Sequence, residues 1–370
     1  MGQAEVTELG LAMAERGEAS GLGAGGEAPA PVELGFVERA PPARLVSSQF
    51  PSKVGGRPAW LSLCVPGPER VRCGGCARPL VFLLQVYAPR GRAFHRALLL
   101  FCCALPACPS RRFAVYRSQL GRINDFYPAE PQPEAEAPLR PGPGPRLCRV
   151  CGAAGPKSCS RCRRAHYCGK EHQSADWRAG HRAACGRPGE AADRTSSPNI
   201  LFPEYELVME LEEEQIVGSE DTEDQKLEDL KMCMESLSTA SSDCETQPLD
   251  EKELEAMAKH ETKEDQIFNK FKRTTALAPE QVLRYCRGGS PLWVSGENIP
   301  TDTDIPNCSC GAKRVFEFQV MPQLLYQLKV DRLGESLDWG TLVVYTCEQS
   351  CDHGNEYSPE FLWKQDFSAD

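Results

Sequence analysis

The fold of this chain is decided by two stretches that share one pattern, Gly55-Gly56-Arg57-Pro58-Ala59-Trp60-Leu61-Ser62 and Gly288-Gly289-Ser290-Pro291-Leu292-Trp293-Val294-Ser295. Both read Gly-Gly-x-Pro-x-Trp. The alternative is that both stretches belong to unrelated β-rich segments that bind zinc. Such segments would share cysteine and aromatic residues, but they would not share this order of glycine, proline and tryptophan. The match therefore indicates an internal duplication.

Three further landmarks follow each stretch in the same order: a cysteine pair, a glutamine nine residues after it, and an apolar run that ends in cysteine. They are Cys73/Cys76, Gln85 and 99–103 in the first copy, and Cys308/Cys310, Gln319 and 343–347 in the second. Pairing of the two copies buries the apolar face that each alone leaves exposed. We therefore predict an α+β, mainly β fold, a pseudo-symmetric domain of two duplicated half-domains.

Apolar runs predict the strands of that domain. Residues 80–87 and 97–101 form such runs in the first copy, and residues 315–320 and 341–346 form them in the second. Short runs of this length, bounded by turn residues, are typical of buried strands.

Charge and hydropathy exclude several classes of protein. The 370 residues include 42 basic and 52 acidic side chains, a net charge of −10, which does not favour a general nucleic-acid or membrane-surface binder. No run of about 18 apolar residues is present, so no membrane-spanning helix is predicted. The first residues lack the basic and apolar pattern of a secretory signal, so we expect a reducing compartment.

The 19 cysteines are clustered, and in a reducing compartment clustered cysteine pairs indicate metal ligands. The densest cluster reads Cys148-x2-Cys151, Cys159-x2-Cys162, Cys168-x3-His172, His181-x3-Cys185. These spacings suit adjacent corners of a zinc tetrahedron, and eight ligands fill two closed sites. Spacing alone does not decide the pairing, but we favour a cross-brace. It places Cys148, Cys151, Cys168 and His172 on one ion, and Cys159, Cys162, His181 and Cys185 on the other.

The duplicated halves carry a weaker zinc signal. Each half offers four cysteines for one further ion, although free cysteine is often only a buried residue. These candidate ligands are Cys73, Cys76, Cys103 and Cys108 in the first half, and Cys308, Cys310, Cys347 and Cys351 in the second. Five cysteines are then left over: Cys64, Cys102, Cys233, Cys244 and Cys286. We expect Cys102 to face the side of its strand opposite to Cys103.

Composition divides the chain into segments. The predicted segments are a disordered tail at 1–30, the first half at 31–127, a linker at 128–145, the zinc finger at 146–187, an acidic and partly helical linker at 188–265, and the second half at 266–370. Residues 204–265 carry a net charge of −17, and residues 146–187 carry a net charge of +8. Residues 249–272 have helical composition, with an apolar stripe at Ile267, Phe268 and Phe271.

The finger resembles the MYND zinc-finger family at Tyr167-Cys168, Gln173, Trp177, His181 and Cys185, with His172 where many members have cysteine. Such fingers are protein-interaction modules that often hold proline-containing peptides or recruit transcriptional corepressors. The resemblance implies that Trp177 is an exposed anchor for a partner, although the alternative is that Trp177 packs on the zinc core.

The wider frame resembles the programmed cell death protein 2 family. The residues that carry this resemblance are Pro51-Ser52-Lys53-Val54-Gly55-Gly56, Phe82-Leu83-Leu84-Gln85-Val86-Tyr87-Ala88-Pro89, Ser295-Gly296-Glu297-Asn298-Ile299-Pro300, Phe316-Glu317-Phe318-Gln319-Val320-Met321-Pro322 and Asp338-Trp339-Gly340. It implies a nuclear and cytoplasmic adaptor or dedicated chaperone for a small-subunit ribosomal protein, acting in 40S ribosome assembly. It also implies an association with cell proliferation, apoptosis and transcriptional regulation.

Three functions compete at this point. The first is that zinc-stabilised adaptor, whose acidic segment suits a basic ribosomal protein. The second is a DNA-binding or corepressor-recruiting transcriptional regulator that acts through its basic finger. The third is an enzyme, which we reject because the sequence offers neither a glycine-rich cofactor loop in a strand–loop–helix setting nor a credible catalytic pair.

Overall fold

The computed structural model describes residues 31–91, 93–105, 107–108, 110, 112–129, 144–186, 200–212, 263–330 and 337–367. They form two units. The larger holds the described residues up to Leu211 together with Glu280–Pro291 and Pro300–Asp366, and the smaller holds those of Glu212–Pro279, Leu292–Ile299 and Phe367–Asp370. The predicted tail at 1–30, most of the linkers and the spare Cys233 and Cys244 lie outside the described residues.

The larger unit is built on a closed antiparallel barrel of ten strands. Its order is β1-β8-β2-β3-β4-β5-β12-β11-β10-β9, closing back to β1. The strands are β1 Glu33–Glu38, β2 Lys53–Val54, β3 Val81–Tyr87, β4 His95–Cys102, β5 Phe113–Leu120, β8 Tyr205–Leu211, β9 Leu283–Tyr285, β10 Arg314–Val320, β11 Thr341–Cys347 and β12 Ser358–Gln365. This confirms a mainly β fold, in which closure removes the exposed sheet edges.

The two halves exchange their first strands. Strand β1 pairs with β9 of the second half, with Glu33 opposite Tyr285. Strand β8 pairs with β2 of the first half, with Glu206 opposite Lys53. The two exchanged strands also pair with each other along the whole of β1. Neither half can therefore complete its sheet without the other.

This exchange places a strand inside a segment predicted to be a linker. The predicted acidic linker at 188–265 contains Tyr205–Leu211, which is barrel strand β8. The high acid content of the region hid this strand, although Leu207 is buried in the barrel core. Segment 31–127 likewise supplies β1 to the opposite half.

Equivalent strands of the halves share one irregularity. The β3–β4 register shifts between Phe82 and Leu84, and the β10–β11 register shifts between Phe316 and Phe318. When Gln85 is matched with Gln319, the two bulged residues, Leu83 and Glu317, are equivalent. A β-bulge inserts one extra residue and turns its side chain, so the two halves share a local backbone feature.

Both faces of the central strands are buried, which explains their continuous apolar runs. In β4, Leu98, Leu100 and Cys102 point into the barrel core, while Leu99 and Phe101 belong to a second core on the outer face. Cys103 lies in that outer core, opposite to Cys102, as expected. The outer core is completed by the zinc finger.

The remaining elements are short. The finger contains the hairpin β6 Lys157–Ser158 and β7 His166–Tyr167, helix α1 Lys170–Asp176, a π-helical turn Trp177–His181 and helix α2 Arg182–Ala184. Two 3-10 turns, Pro42–Leu45 and Ser47–Gln49, follow β1, and helix α4 Gln323–Gln327 follows β10.

The smaller unit contains helix α3 Lys263–Ala276. It overlaps the predicted helical region 249–272, whose first part lies outside the described residues. Of the predicted stripe, Phe271 is buried, Ile267 is half-buried and Phe268 is exposed. Among the residues described, no helix combines the length and the apolar character needed to cross a membrane.

Candidate metal centres

The described residues contain four sets of cysteine and histidine donors. Within each set, all ligand atoms lie within 4.8 Å of one another. The sets are Cys73, Cys76, Cys103 and Cys108; Cys148, Cys151, Cys168 and His172; Cys159, Cys162, His181 and Cys185; and Cys308, Cys310, Cys347 and Cys351. The structure thus brings together the members of every set predicted from the sequence.

The donor spacing fits zinc. With Zn–S bonds of about 2.3 Å, the edge of a tetrahedron of sulfurs is about 3.8 Å. The Sγ–Sγ distance is 3.6 Å for Cys73 and Cys108, 3.7 Å for Cys151 and Cys168, and 3.5 Å for Cys308 and Cys351. Each set supplies four protein ligands, so each would form a closed, structural site with no open position for a substrate.

The first finger site joins a loop to a helix. Cys148 and Cys151 lie on a turn that is closed by the Gly152 N–H donating to the Cys148 carbonyl at 2.9 Å. Cys168 follows β7, and His172 lies on the first turn of α1. The His172 Nδ1 is 3.1 Å from the Cys168 sulfur and 3.6 Å from the Cys148 sulfur.

The second finger site interleaves with the first, which is the cross-braced arrangement. Cys159 and Cys162 come from the β6–β7 hairpin, and the Nε2 of His181 is 3.6 Å from the Cys162 sulfur. His181 ends a π-helical turn, where Gly180 has φ 153°, a value that only glycine adopts readily. This irregular turn aims His181 back toward the hairpin.

Trp177 lies in that same π-helical turn. It is half-buried and packs against the finger core. Its ring meets the His181 ring edge-on, with centroids 5.8 Å apart. The packing role considered for Trp177 is therefore present, while its role as a partner anchor stays a prediction.

A buried carboxylate lies beside the first finger site. Asp176 is fully buried, accepts a 2.7 Å hydrogen bond from the Tyr167 hydroxyl, and lies 3.5 Å from the Nε of Arg149. Burial and the Asp176 carboxylate raise the pKa of Tyr167, so its hydroxyl keeps its proton and donates. Sequence reasoning missed this pair, because neither residue type is a zinc ligand in this pattern.

The barrel tetrads are knuckles between strands. Backbone N–H groups point at the first cysteine of each tetrad, two at Cys73 and one, that of Cys310, at Cys308. Burial raises the pKa of the Cys73 thiol, but N–H groups of Cys76 and Gly75 and the neighbouring thiols outweigh it and lower that pKa to about 6. The same balance lowers the pKa of Cys308 to about 7. Both positions favour the thiolate, the form that binds metal.

The finger is fused to the barrel through the first Gly-Gly-x-Pro-x-Trp stretch. Arg57 donates to the carbonyl oxygens of Arg149 and Val150, the latter at 3.1 Å. The Trp60 indole N–H donates to the Gly152 carbonyl at 2.7 Å. These three carbonyls belong to the knuckle of the first finger site. The sequence showed the Trp60 motif but did not show that it is a docking platform.

Family comparisons cover most of the chain. The programmed cell death protein 2 N-terminal domain matches residues 31–134, and the C-terminal domain of that family matches residues 265–366. The MYND finger matches residues 148–185, which include all eight donors of the two finger sites.

Three relatives extend the comparison. Programmed cell death protein 2 of Mus musculus is 54% identical over 349 residues, covering 92% of this chain and 97% of that protein. Programmed cell death protein 2-like of Homo sapiens is 31% identical over 335 residues, covering 83% and 87%. Probable 20S rRNA accumulation protein 4 of Schizosaccharomyces pombe is 32% identical over 111 residues, 27% of each chain. No solved structure matches this chain.

Proposed function

The chain belongs to the programmed cell death protein 2 family, and on that premise we propose that it is a zinc-stabilised adaptor, a dedicated chaperone for a newly made small-subunit ribosomal protein. In this role it holds the client until assembly of the 40S subunit. The adaptor works in both the nucleus and the cytoplasm, and it handles a polypeptide without transforming a substrate.

The observation that carries the scaffold role is the closure of all four donor sets. Zinc ions held by four protein ligands each supply folding free energy and leave no site for a reacting group. The eight finger donors would hold two ions and the two cysteine tetrads would hold two more. The binding surface of the adaptor is therefore built by the fold that these ions stabilise.

The interlocked barrel gives the adaptor its rigidity. We read its halves as copies of one ancestral unit, because strand order, the bulges at Leu83 and Glu317 and the cysteine tetrads recur. The exchanged β1 and β8 then explain why the copies form one body rather than two.

The nature of the client rests on charge and on a relative. Residues 213–262 carry 16 acidic and four basic side chains, a net charge of −12. Such a segment suits a strongly basic polypeptide, as ribosomal proteins are. The relative in Schizosaccharomyces pombe that is named for 20S rRNA accumulation supports a place for this chain in ribosome assembly.

Affinity purification of the tagged full chain from growing cells tests this proposal. We expect one small-subunit ribosomal protein in stoichiometric amount. A variant with the 16 acids of 213–262 changed to Gln or Asn keeps β8 and should lose most of that client and its salt dependence. The matched control changes Lys226, Lys231, Lys252 and Lys259 to Gln and should retain it. Recovery of no ribosomal protein by the wild-type chain would reject the client.

The finger offers a second binding mode. A corepressor or a proline-containing peptide would use Trp177, whose half-buried ring still presents part of its surface. Trp177→Ala should then release that partner while both finger zinc ions are retained. Loss of zinc together with the partner would instead assign Trp177 to the zinc core.

A further inference from the structure

The finger carries far more positive charge than its zinc sites require. Residues 144–186 contain nine basic and two acidic side chains, a net charge of +7. Each zinc site with three thiolates and one neutral imidazole has a net charge of −1, so the two sites together offset two of these charges. A surplus of about five positive charges remains, on a chain whose net charge is −10.

That surplus is exposed. Of the two acids in the finger, Asp176 is buried beside Arg149, and Glu171 lies 3.8 Å from Arg72 of the barrel. Eight of the nine bases are exposed, and none of these eight has a carboxylate within ion-pair distance among the described residues. They are Arg146, Lys157, Arg161, Arg163, Arg164, Lys170, Arg178 and Arg182.

The densest group lies on the β6–β7 hairpin, which we call the basic knuckle and define as residues 156–164. It holds four of these bases and no acid: Lys157, Arg161, Arg163 and Arg164. A tight turn constrains it, because the Arg163 N–H donates to the Cys159 carbonyl at 2.8 Å and Arg163 has φ 56°. The side chains are thus presented by a constrained loop, which reduces the entropy lost on binding.

The chemistry of this face favours a polyanion over a protein. The described finger has no large exposed apolar side chain, whereas protein interfaces are usually anchored by buried aromatic or aliphatic residues. Phosphate recognition needs only clustered charge. The hairpin strands are two residues long, too short to fill the major groove of a DNA duplex. Arginine guanidinium groups can also stack on unpaired bases.

We propose that the basic knuckle binds the phosphate backbone of single-stranded RNA, without reading its sequence. This contact goes beyond the proposed handling of a ribosomal protein, because it uses a different surface and a different partner. It gives the chain a positive surface for RNA, while its acidic segment suits a basic polypeptide.

Fluorescence anisotropy with the zinc-loaded full chain and a labelled 20-nucleotide single-stranded RNA of mixed sequence tests the proposal. We expect binding that weakens steeply between 50 and 300 mM KCl. The triple variant Lys157→Gln/Arg161→Gln/Arg164→Gln should bind at least about tenfold more weakly at 100 mM KCl. Its plot of log K against log[KCl] should be shallower by about two units, at about 0.7 per lost phosphate contact.

The matched control removes three charges elsewhere, at the exposed Arg39, Lys270 and Lys313, each changed to Gln. It should alter the affinity less than twofold. Zinc content and circular dichroism should be unchanged in both triple variants. Three results would overturn the proposal: no RNA binding by the wild-type chain at 50 mM KCl, an equal loss in the control, or tighter binding of duplex DNA or a polyglutamate peptide than of RNA.

Discussion

The two cysteine tetrads of the barrel have equivalent positions but different surroundings. In the first half, Cys73, Cys103 and Cys108 belong to the core that also contains the finger cysteines. In the second half, Cys310 is exposed and Cys351 is half-buried. Both halves bring four cysteine sulfurs together, although the first pair is Cys73-x2-Cys76 in one half and Cys308-x-Cys310 in the other. What differs is the inserted finger, which covers only the first.

The difference can be followed to single residues in the repeated stretch. Arg57 of the first half donates hydrogen bonds to two backbone carbonyls of the finger, whereas the equivalent residue in the second half, Ser290, is exposed. Trp60 is buried beneath the finger, and its equivalent Trp293 is half-buried. Of the two matching stretches, the first therefore holds the finger, through Arg57 and Trp60.

A second difference lies inside the barrel, at the equivalent bulges. Leu83 of the first half packs in the apolar barrel core. Glu317 in the second half makes a bidentate ion pair with Arg96 of the first half. One of the two hydrogen bonds is 2.7 Å long, and both side chains are fully buried. Burial raises the pKa of Glu317, but Arg96 and Arg287 outweigh it and lower that pKa to about 2. One copy therefore uses the bulge for packing, and the other uses it to bind the halves together.

The largest loss of stability should come from removing a single cysteine ligand, and we compare one such variant in each half. We expect Cys73→Ser to lower the free energy of unfolding by about 5 kcal/mol or more, because the metal and the shared finger core are both disturbed. Cys308→Ser should cost less. Elemental analysis should show one zinc lost in Cys308→Ser and more than one in Cys73→Ser. Equal losses would mean that the finger and the first tetrad are not coupled.

Breaking the buried ion pair between Arg96 and Glu317 should cause the second largest loss of stability. Glu317→Gln leaves the buried Arg96 and Arg287 without a counter-charge, which should cost about 3–5 kcal/mol in urea unfolding. The exposed Glu348, changed to Gln, serves as the control and should stay within about 0.5 kcal/mol of wild type. A loss below 1 kcal/mol for Glu317→Gln would show that the pair does not hold the halves together.

Replacing Arg57 with the serine found at the equivalent position of the second half should lower stability moderately. Arg57→Ser leaves two knuckle carbonyls without their donor, at a cost of about 2 kcal/mol. Amide hydrogen exchange should increase in the finger more than in the barrel. The reciprocal change, Ser290→Arg, alters an exposed residue and should be nearly neutral. Uniform exchange throughout the unit would argue against a specific docking role.

The smallest effect concerns pH. When the two halves are superposed by strand register, His95 of the first half takes the position of Trp339 in the second. Burial lowers the pKa of His95 to about 4, and its Nδ1 lies 2.9 Å from the Tyr87 hydroxyl. The unfolded chain, with a histidine pKa of about 6.5, therefore binds the proton first as the pH falls.

The stability that His95 contributes is thus complete above pH 6.5 and is lost as the pH falls toward 4. Between pH 7.5 and 5.5 the loss should be about 1 kcal/mol. Urea unfolding of wild type and His95→Gln across this range measures it as a difference. A wild-type chain no more sensitive to pH than His95→Gln would show that His95 is not held neutral by the fold.

Sequence reasoning recovered the strands with long apolar runs and missed those that are short or polar. Strand β3 at Val81–Tyr87 is uniformly apolar but for Gln85, whereas β8 at Tyr205–Leu211 carries Glu206 and Glu210 and resembles the acidic region around it. The Arg96–Glu317 pair was equally hidden, because 221 residues separate its members. Charges in a strand are read as exposed unless the partner that buries them is known.

The sequence by itself indicated the repeated pattern and the pairs of neighbouring donors, but it did not decide which pairs share an ion. Ligands two to four residues apart can reach one ion only in a few local geometries, so spacing carries that information. Only the tertiary structure decided that β1 and β8 exchange halves, that Arg57 and Trp60 hold the finger, and that Glu317 faces Arg96. These are contacts between distant segments. They depend on the closure of the sheet edges and on the burial of whole strand faces, and local sequence patterns do not predict them.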